Sequence, residues 1–301
     1  MPTPTRRWRS SRRAKLPERV IAVTGAASGI GAACVARFTA DGCRVIGVDL
    51  HDTEVVADVG TAAGRAQAMA AITESSRGRL AGLVTCAGYA GAPWRPGSLL
   101  ASVNYFGSIA LLAGLRPLLL PAAGAGAGAG AGQGGAAVAI SSNSTTVQPD
   151  IPAAVVEARL AHDEERACAL ADEAGSLRTY PATKLAVAYW VRRQATGADW
   201  AGSGVRLNAV APGMIETPMI TDMRSDPDVG PLLAMLPIPV GRTGRPEEIA
   251  ALIDFLIGPE GGYFCGSVVF CDGGSDALLR PNDAPAPWDI SPSDFGRDRS
   301  A

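Results

Sequence analysis

The stretch TGAASGIG, residues 24–31, decides the fold of this chain. An apolar run at 19–24 that predicts a buried strand leads into it, and a helical pattern at 31–41 follows it. The glycines allow a tight turn and let a diphosphate approach the backbone, while the amides at the helix N-terminus supply hydrogen-bond donors. A glycine run alone is weak evidence, but its place between strand and helix favours a dinucleotide site. The predicted cofactor contacts in this turn are Gly25, Ser28, Gly29, Ile30 and Gly31.

Beyond this turn, strand-like apolar runs alternate with Ala-rich helical stretches. Such alternation is typical of a parallel sheet covered by helices on both faces. Further strands are predicted at 44–49, 80–86, 136–141, 205–210 and 267–271, with a helix at 102–120. The sequence therefore predicts the α/β class, with a doubly wound parallel sheet of the Rossmann type in a single domain.

Composition divides the chain into three parts. Residues 1–18 form a basic leader that we expect to be disordered, residues 19–280 form the domain, and residues 281–301 are a loose tail rich in Pro and Asp. Within the domain, the Ala/Gly repeat at 122–135 predicts a flexible surface loop without a function of its own.

Charge and cysteine usage limit the classes of function. Residues 1–15 hold six of the 27 basic side chains and no acidic ones, so the rest of the chain is acidic, which argues against a nucleic-acid partner. The six cysteines contain no Cys-x-x-Cys pair and there are only two histidines, which predicts neither a disulfide framework nor a metal site. Apolar runs are short and interrupted, so we expect no membrane span and a cytoplasmic protein.

Asp49 follows Gly31 by eighteen residues and ends the second predicted strand. A carboxylate there can accept hydrogen bonds from the adenosine ribose and repels the extra phosphate of NADP. Leu50, rather than an arginine, comes next. The pattern favours NAD as cofactor, with a solvated strand end as the alternative explanation of Asp49.

The segment YPATK places Tyr180 and Lys184 four residues apart, on one face if a helix begins nearby. A phenol titrates near pH ~10 in water, and a neighbouring ammonium and a cationic nicotinamide should both lower its pKa. Apart from Lys15, Lys184 is the only lysine in a chain that has 25 arginines. We infer that it does something a guanidinium cannot.

With these motifs in place, residues 19–280 resemble the short-chain dehydrogenase/reductase family, whose TGxxxGxG and YxxxK patterns match residues 24–31 and Tyr180/Lys184. The resemblance implies that Tyr180 transfers the proton, that Ser142 holds the substrate oxygen, and that Lys184 also grips the nicotinamide ribose. It further implies that Asn104 distorts its helix and holds a water of the proton relay.

The resemblance extends to further cofactor contacts. PGMIET at 212–217 is similar to the family's PGxxxT, the pair at 58–59 would meet the adenine, and CAG at 86–88 stands where the family usually has Asn-Ala-Gly. The additional contacts implied are Leu50, Asp58, Val59, Cys86, Ala87, Gly88, Pro212, Gly213, Ile215 and Thr217.

Two departures concern length. The interval between Asp49 and Asp58 is too short for a crossover helix and predicts a turn, whereas Ser142 and Tyr180 are unusually far apart. The insert, at about 147–178, contains a helix-favouring stretch at 153–175 that predicts a helical pair. The insert, CAG and the VNYFG run around Asn104 together resemble the bacterial 3α-hydroxysteroid dehydrogenase/carbonyl reductase branch.

In this family, the helices that bear the catalytic Tyr and Asn commonly pack against a second subunit. We expect the insert to displace that packing and to narrow the substrate cleft, which predicts a homo-oligomer, a dimer, built through another surface. The alternative is a surface excursion that touches neither, since long loop insertions are well tolerated.

Substrate contacts are predicted from apolar side chains. Residues 214–240 are rich in Met and Leu and could cap a hydrophobic substrate, with Met214 and Met219 nearest, or form an ordinary helix on the core. Trp94, after the fourth predicted strand, is a further candidate.

The predicted function is an NAD-dependent oxidoreductase that interconverts a hydroxyl and a carbonyl on a small hydrophobic, steroid-like alcohol or ketone. An aromatic alcohol dehydrogenase of the coniferyl type and a catalytically silent NAD-binding module are the alternatives. An enoyl reductase, which usually has a wider Tyr–Lys spacing, and a sugar epimerase, with a different glycine spacing, fit less well.

Overall fold

A computed structural model describes residues 19–120 and 134–285. The predicted leader at 1–18, most of the Ala/Gly repeat and most of the tail lie outside the described residues. Residues 281–285 form an exposed turn.

Seven parallel strands form one sheet in the order β3-β2-β1-β4-β5-β6-β7. The order reverses between β1 and β4, which leaves a crevice at the carboxyl ends of the strands. Their bounds are β1 Val20–Thr24, β2 Arg44–Asp49, β3 Val55–Val56, β4 Gly82–Thr85, β5 Ala136–Ile140, β6 Arg206–Pro212 and β7 Val268–Cys271. The predicted doubly wound parallel sheet is confirmed: the six predicted strands have limits within two residues of the prediction, and the short β3 was not predicted.

Helices cover both faces of this sheet. Two clusters of buried apolar side chains, one on each face, form the core. The helices are α1 Gly29–Ala40, α2 Ala62–Ser75, α3 Gly97–Leu100, α4 Ser108–Leu115, α5 Ser144–Val147, α6 Ala153–Leu160, α7 Glu164–Ala174, α8 Ser176–Ala195, α9 Pro218–Ser225, α10 Val229–Ala234, α11 Pro246–Ile257 and α12 Ser275–Leu279. No pattern in the sequence predicts α2 or α11.

The connection between β2 and β3 is a turn, as predicted from its length. Asp52 takes a left-handed conformation there (φ 55°), and β3 returns directly to pair with the end of β2. The first half of the sheet therefore has no crossover helix at this point.

The helical stretch from Gly97 to Leu119 corrects the expectation that no apolar run is long enough to span a bilayer. By length and composition it meets that test, but 67% of its most apolar window is buried inside the protein. It is a core helix interrupted by a π-helical segment at Ala101–Gly107. Such segments occur often at functional sites.

The insert forms the predicted helical pair, α6 and α7. Val155 and Ala167 of this pair are buried in the main hydrophobic cluster, and the pair packs on α8 and on the π segment. Arg65 of α2 forms a bidentate ion pair with Glu164, with N–O distances of 2.7 and 3.1 Å. The insert therefore contributes side chains to the hydrophobic core, and none of its described residues lines the largest opening at the carboxyl ends of the strands.

Candidate active site

The glycine turn lies at the crevice between β1 and β4. Gly25 has a left-handed φ of +67°, and a Cβ there would lie 2.7 Å from the Ala87 nitrogen. A Cβ on Gly31 would overlap the Gly25 carbonyl. Both positions therefore require glycine, and α1 begins within the turn, so its free amides face the crevice.

Asp49 is held against the turn. One carboxylate oxygen accepts a hydrogen bond from the Ala27 amide at 2.9 Å, and the other accepts one from the Leu50 amide at 2.7 Å. This fixes a partly buried negative charge at the end of β2, at the mouth of the crevice.

One cleft of about 340 Å³ opens at this end of the sheet. It is lined by every residue predicted to bind the cofactor, from the glycine turn to Thr217, and by Ser142. Sequence reasoning missed several lining residues that carry no motif: Val48, His51, Ala57, Tyr89, Val103, Ile140, Ser141, Pro218 and Ile220.

Tyr180 and Lys184 lie on α8, one turn apart, and both line the cleft. Burial raises the pKa of Tyr180 above its ordinary value, while the neighbouring Ser142 hydroxyl acts in the opposite direction. Lys184 was expected to lower the pKa of Tyr180. For the protein alone this expectation is wrong, because the Lys184 ammonium instead donates to the Ile140 carbonyl at 3.0 Å. Burial lowers the pKa of Lys184 to about 8, partly offset by Cys86.

The lowered pKa of Lys184 should make the free energy of unfolding depend on pH. The folded protein releases this proton near pH 8, whereas the unfolded chain keeps it until about 10.4. Between these values the unfolded state binds more protons, so the stability of the wild type should rise with pH relative to Lys184→Met. Urea unfolding of both proteins at pH 7 and pH 9.5 measures this, and an unchanged difference would contradict it.

Asn104 lies at the centre of the π segment and is fully buried. Its side chain binds the Tyr89 backbone twice, accepting from the amide at 2.8 Å and donating to the carbonyl at 2.9 Å, and it also donates to the Thr183 hydroxyl at 3.3 Å. The predicted helix distortion is confirmed. Asn104 does not line the cleft, but its side-chain oxygen would be 3.0 Å from a Cβ on the cleft residue Gly88.

Comparisons with known proteins agree with this geometry. The chain is 36% identical over 265 residues to a 3-alpha-hydroxysteroid dehydrogenase/carbonyl reductase of Comamonas testosteroni, covering 87% of this chain and 98% of that protein. It is 32% identical to the short-chain reductase NovJ of Streptomyces niveus, covering 85% of this chain and 94% of that protein. This chain belongs to the short-chain dehydrogenase/reductase family.

A solved relative supports the same assignment. The 3-alpha-hydroxysteroid dehydrogenase from Pseudomonas sp. B-0831, crystallised with NADH, is 42% identical and superposes with a TM-score of 0.79 over 87% of this chain and 99% of that one. The family model described as enoyl-(acyl carrier protein) reductase matches residues 169–276. As a short-chain dehydrogenase/reductase, this protein is an oxidoreductase that acts on hydroxyl and carbonyl groups.

Cys86 stands where this family usually has asparagine. A hydrogen bond with the Cys34 thiol is the main cause that raises the pKa of Cys86 well above its ordinary value, and burial adds to it. Cys86 therefore stays a neutral thiol. The turn beside it is held instead by the Thr24 hydroxyl, which accepts from the Ala87 amide at 3.1 Å.

On the substrate side, one of the three predicted residues lines the cleft and two lie outside it. Met219 lines the cleft. Met214 instead lines a separate cavity that is formed within the 214–240 segment itself. Trp94 lies outside the cleft and is 56% exposed. In this segment Leu232 of α10 and Met235 just after it are exposed, whereas Val229 of α10 is buried, so the segment packs on the core through only part of its apolar side chains.

Proposed function

We propose that this short-chain dehydrogenase/reductase uses NAD to interconvert a secondary alcohol and a ketone on a hydrophobic, steroid-like substrate. The observation that carries the proposal is that Ser142, Tyr180 and Lys184 share one cleft with the glycine turn and Asp49. A catalytically silent NAD-binding module would have no need for a serine, a tyrosine and a buried lysine together at the end of that cleft.

The residues of the cleft fit NAD. The glycine turn leaves backbone amides free for a diphosphate, and the fixed carboxylate of Asp49 suits ribose hydroxyls. When bound, NAD supplies the carbon that accepts or donates hydride. The residues proposed to hold it are the motif residues that line the cleft, with Ile215 and Thr217 at the nicotinamide end.

The chain's own residues would handle the proton. We assign to Ser142 the hydrogen bond that orients the substrate oxygen, and to Tyr180 the proton that this oxygen gains during reduction or loses during oxidation. Lys184, buried and positive below pH about 8, would bind the nicotinamide ribose, and the cationic nicotinamide would then favour phenolate at Tyr180. Asn104, in the π segment, would hold a water of the proton relay.

Asp49 is the proposed basis of cofactor choice. Because like charges placed together cost several kcal/mol and each 1.4 kcal/mol is tenfold, kcat/KM with NAD should exceed that with NADP at least about a hundredfold. Asp49→Asn should narrow this ratio while keeping an acceptor for the Ala27 amide. Asp52→Asn, an exposed neighbour outside the cleft, is the control. Equal turnover of the wild type with both cofactors would rule out the assignment.

The substrate class follows from the relatives' names and from the apolar lining of the cleft around Met219 and Ile220. The test is NADH formation with a panel of 3α-hydroxysteroids, coniferyl alcohol and small secondary alcohols. A preference for the steroids is expected. A preference for coniferyl alcohol would support the alternative substrate, and a lack of turnover with NADH still bound would support the silent module.

We further infer a dimer built away from α8, since the insert already covers α8 and the Asn104 helix. Strand β7 forms one edge of the sheet, and Phe255 of α11, which packs against Phe264 just before β7, is 39% exposed near it. Phe255→Arg should therefore yield monomers by light scattering. Tyr189→Arg, at a similarly exposed site on α8, should leave the dimer intact, and the reverse pattern would contradict the inference.

The proposed catalytic domain is residues 19–280. The described residues end in an exposed turn at 281–285 that packs on no element of the core, which supports a domain limit near residue 280.

A further inference from the structure

Arg159 is a buried cation that the proposed reaction does not use. It lies near the end of α6, is 0% exposed, and one of its terminal nitrogens donates to the Val155 carbonyl of its own helix. The other terminal nitrogen and Nε are buried without a hydrogen-bond partner in the described part of the chain. These two nitrogens form the side of the guanidinium that usually binds an oxyanion or a halide through two parallel N–H donors.

A second unsatisfied donor lies on the π segment, against which α6 packs. The Tyr105 hydroxyl is also fully buried and has no partner among the described residues. Arg159 and Tyr105 act on each other electrostatically, and burial raises the pKa of Tyr105 far above its ordinary value. The phenol therefore remains protonated. It can donate a hydrogen bond but cannot serve as the counter-ion.

No carboxylate among the described residues compensates this charge. The groups that interact electrostatically with Arg159 are the Cys168 thiol and the Tyr105 phenol. Arg193 adds a second positive charge that acts on Tyr105. At the start of the neighbouring α7, Glu164 is already paired with Arg65, and Asp163 and Glu165 are exposed to solvent. A buried cation without a partner is strongly unfavourable in a protein interior.

Arg206 shows how this fold satisfies a buried arginine elsewhere. Its two terminal nitrogens donate to four backbone carbonyls at the end of α11 and in the turn that follows, with distances between 2.6 and 3.2 Å, and only its Nε lacks a partner among the described residues. Arg159 has one such carbonyl and two nitrogens without a partner in that part of the chain. Arg159 is therefore the less satisfied of the two, and its free edge is where a ligand could bind.

We propose that Arg159 and Tyr105 bind a small monovalent anion of the halide class, chloride in solution, between the insert and the Asn104 helix. The free side of the guanidinium and the phenol hydroxyl supply its donors. Its small size follows from the zero exposure of both residues. The anion neutralises the buried charge and thereby stabilises the packing of the insert. This proposal does not depend on the proposed function.

The test compares thermal unfolding in sodium chloride and in sodium gluconate at equal ionic strength, after refolding from urea in each salt. Gluconate is too large to enter the closed site. The wild type should melt higher in chloride by several degrees, on the order of 4 °C. Tyr105→Phe should show a smaller difference because it removes one donor.

Two arginine variants separate the anion from general salt effects. Arg159→Met should lose the dependence on chloride and should melt in gluconate no lower than the wild type, since it removes the uncompensated charge. Arg206→Met should melt lower in both salts and keep the difference between them. Crystals of the wild type grown in bromide should show an anomalous peak beside Arg159, which keeps the test decisive even if a variant fails to fold.

Equal melting of the wild type in the two salts would overturn the proposal. So would an Arg159→Met protein that keeps the chloride dependence, or bromide-grown crystals without a peak at this position.

Discussion

Replacing Tyr180 by phenylalanine is expected to lower kcat at least about a thousandfold, while the affinity for NADH changes less than about threefold. Tyr180 lines the cleft together with Ser142 and is the tyrosine on α8 that reaches it. Phenylalanine keeps the ring and its packing but removes the hydroxyl that would give the proton to the substrate oxygen. NADH fluorescence titration and steady-state rates separate binding from turnover.

Tyr189→Phe is the matched control, since Tyr189 lies on the same helix but is 42% exposed and outside the cleft. It should leave kcat within about twofold of the wild type, as surface changes usually do. A Tyr180→Phe enzyme with a kcat close to that of the wild type would remove Tyr180 from the reaction.

Replacing Lys184 by arginine is expected to lower kcat at least about a hundredfold although the positive charge is kept. Lys184 is 5% exposed, and its ammonium donates to the Ile140 carbonyl at 3.0 Å, at a point where Gly88 approaches it closely. A planar guanidinium is larger and always charged, so it cannot occupy this position without displacing the strand end.

The kcat of Lys184→Met, which has no positive charge at this position, is the reference for the kcat of Lys184→Arg. If the compact ammonium is what matters, arginine should recover little of the activity that methionine loses, and circular dichroism should show both variants folded. Normal turnover by Lys184→Arg would show that charge alone suffices and that the rarity of lysine in this chain has no catalytic meaning.

Local patterns in the sequence sufficed to locate the cleft. A parallel sheet brings the carboxyl ends of its strands to one edge. Residue spacing along the chain therefore predicts which side chains meet there, as it did for the glycine turn, Asp49 and the Tyr180/Lys184 pair. For the same reason the short interval before Asp58 correctly predicted a turn, and the helix-favouring stretch before Tyr180 correctly predicted α6 and α7.

Other features depend on tertiary contacts that no local pattern records. The Tyr180 pKa rises because burial outweighs the opposing hydrogen bond of the Ser142 hydroxyl. Lys184 faces a strand carbonyl that lies 44 residues away in the sequence. Trp94 and Met214 were placed by composition alone, and loop geometry directs both away from the cleft. The bilayer-length apolar stretch at 97–119 was missed because its polar residues and glycines are dispersed within a buried helix.

The central claim is that hydride passes between NAD and a carbonyl carbon bound beside Tyr180. The most direct measurement is reduction of a 3-ketosteroid with NADH that carries deuterium on the transferable position of its nicotinamide, followed by mass spectrometry of the alcohol. This mechanism predicts one deuterium on the carbinol carbon of the alcohol. It predicts no deuterium in the alcohol when the label is on the opposite face of the nicotinamide ring. Alcohol formed without deuterium from either labelled cofactor, or NADH bound without any alcohol formed from a panel of ketones, would contradict it.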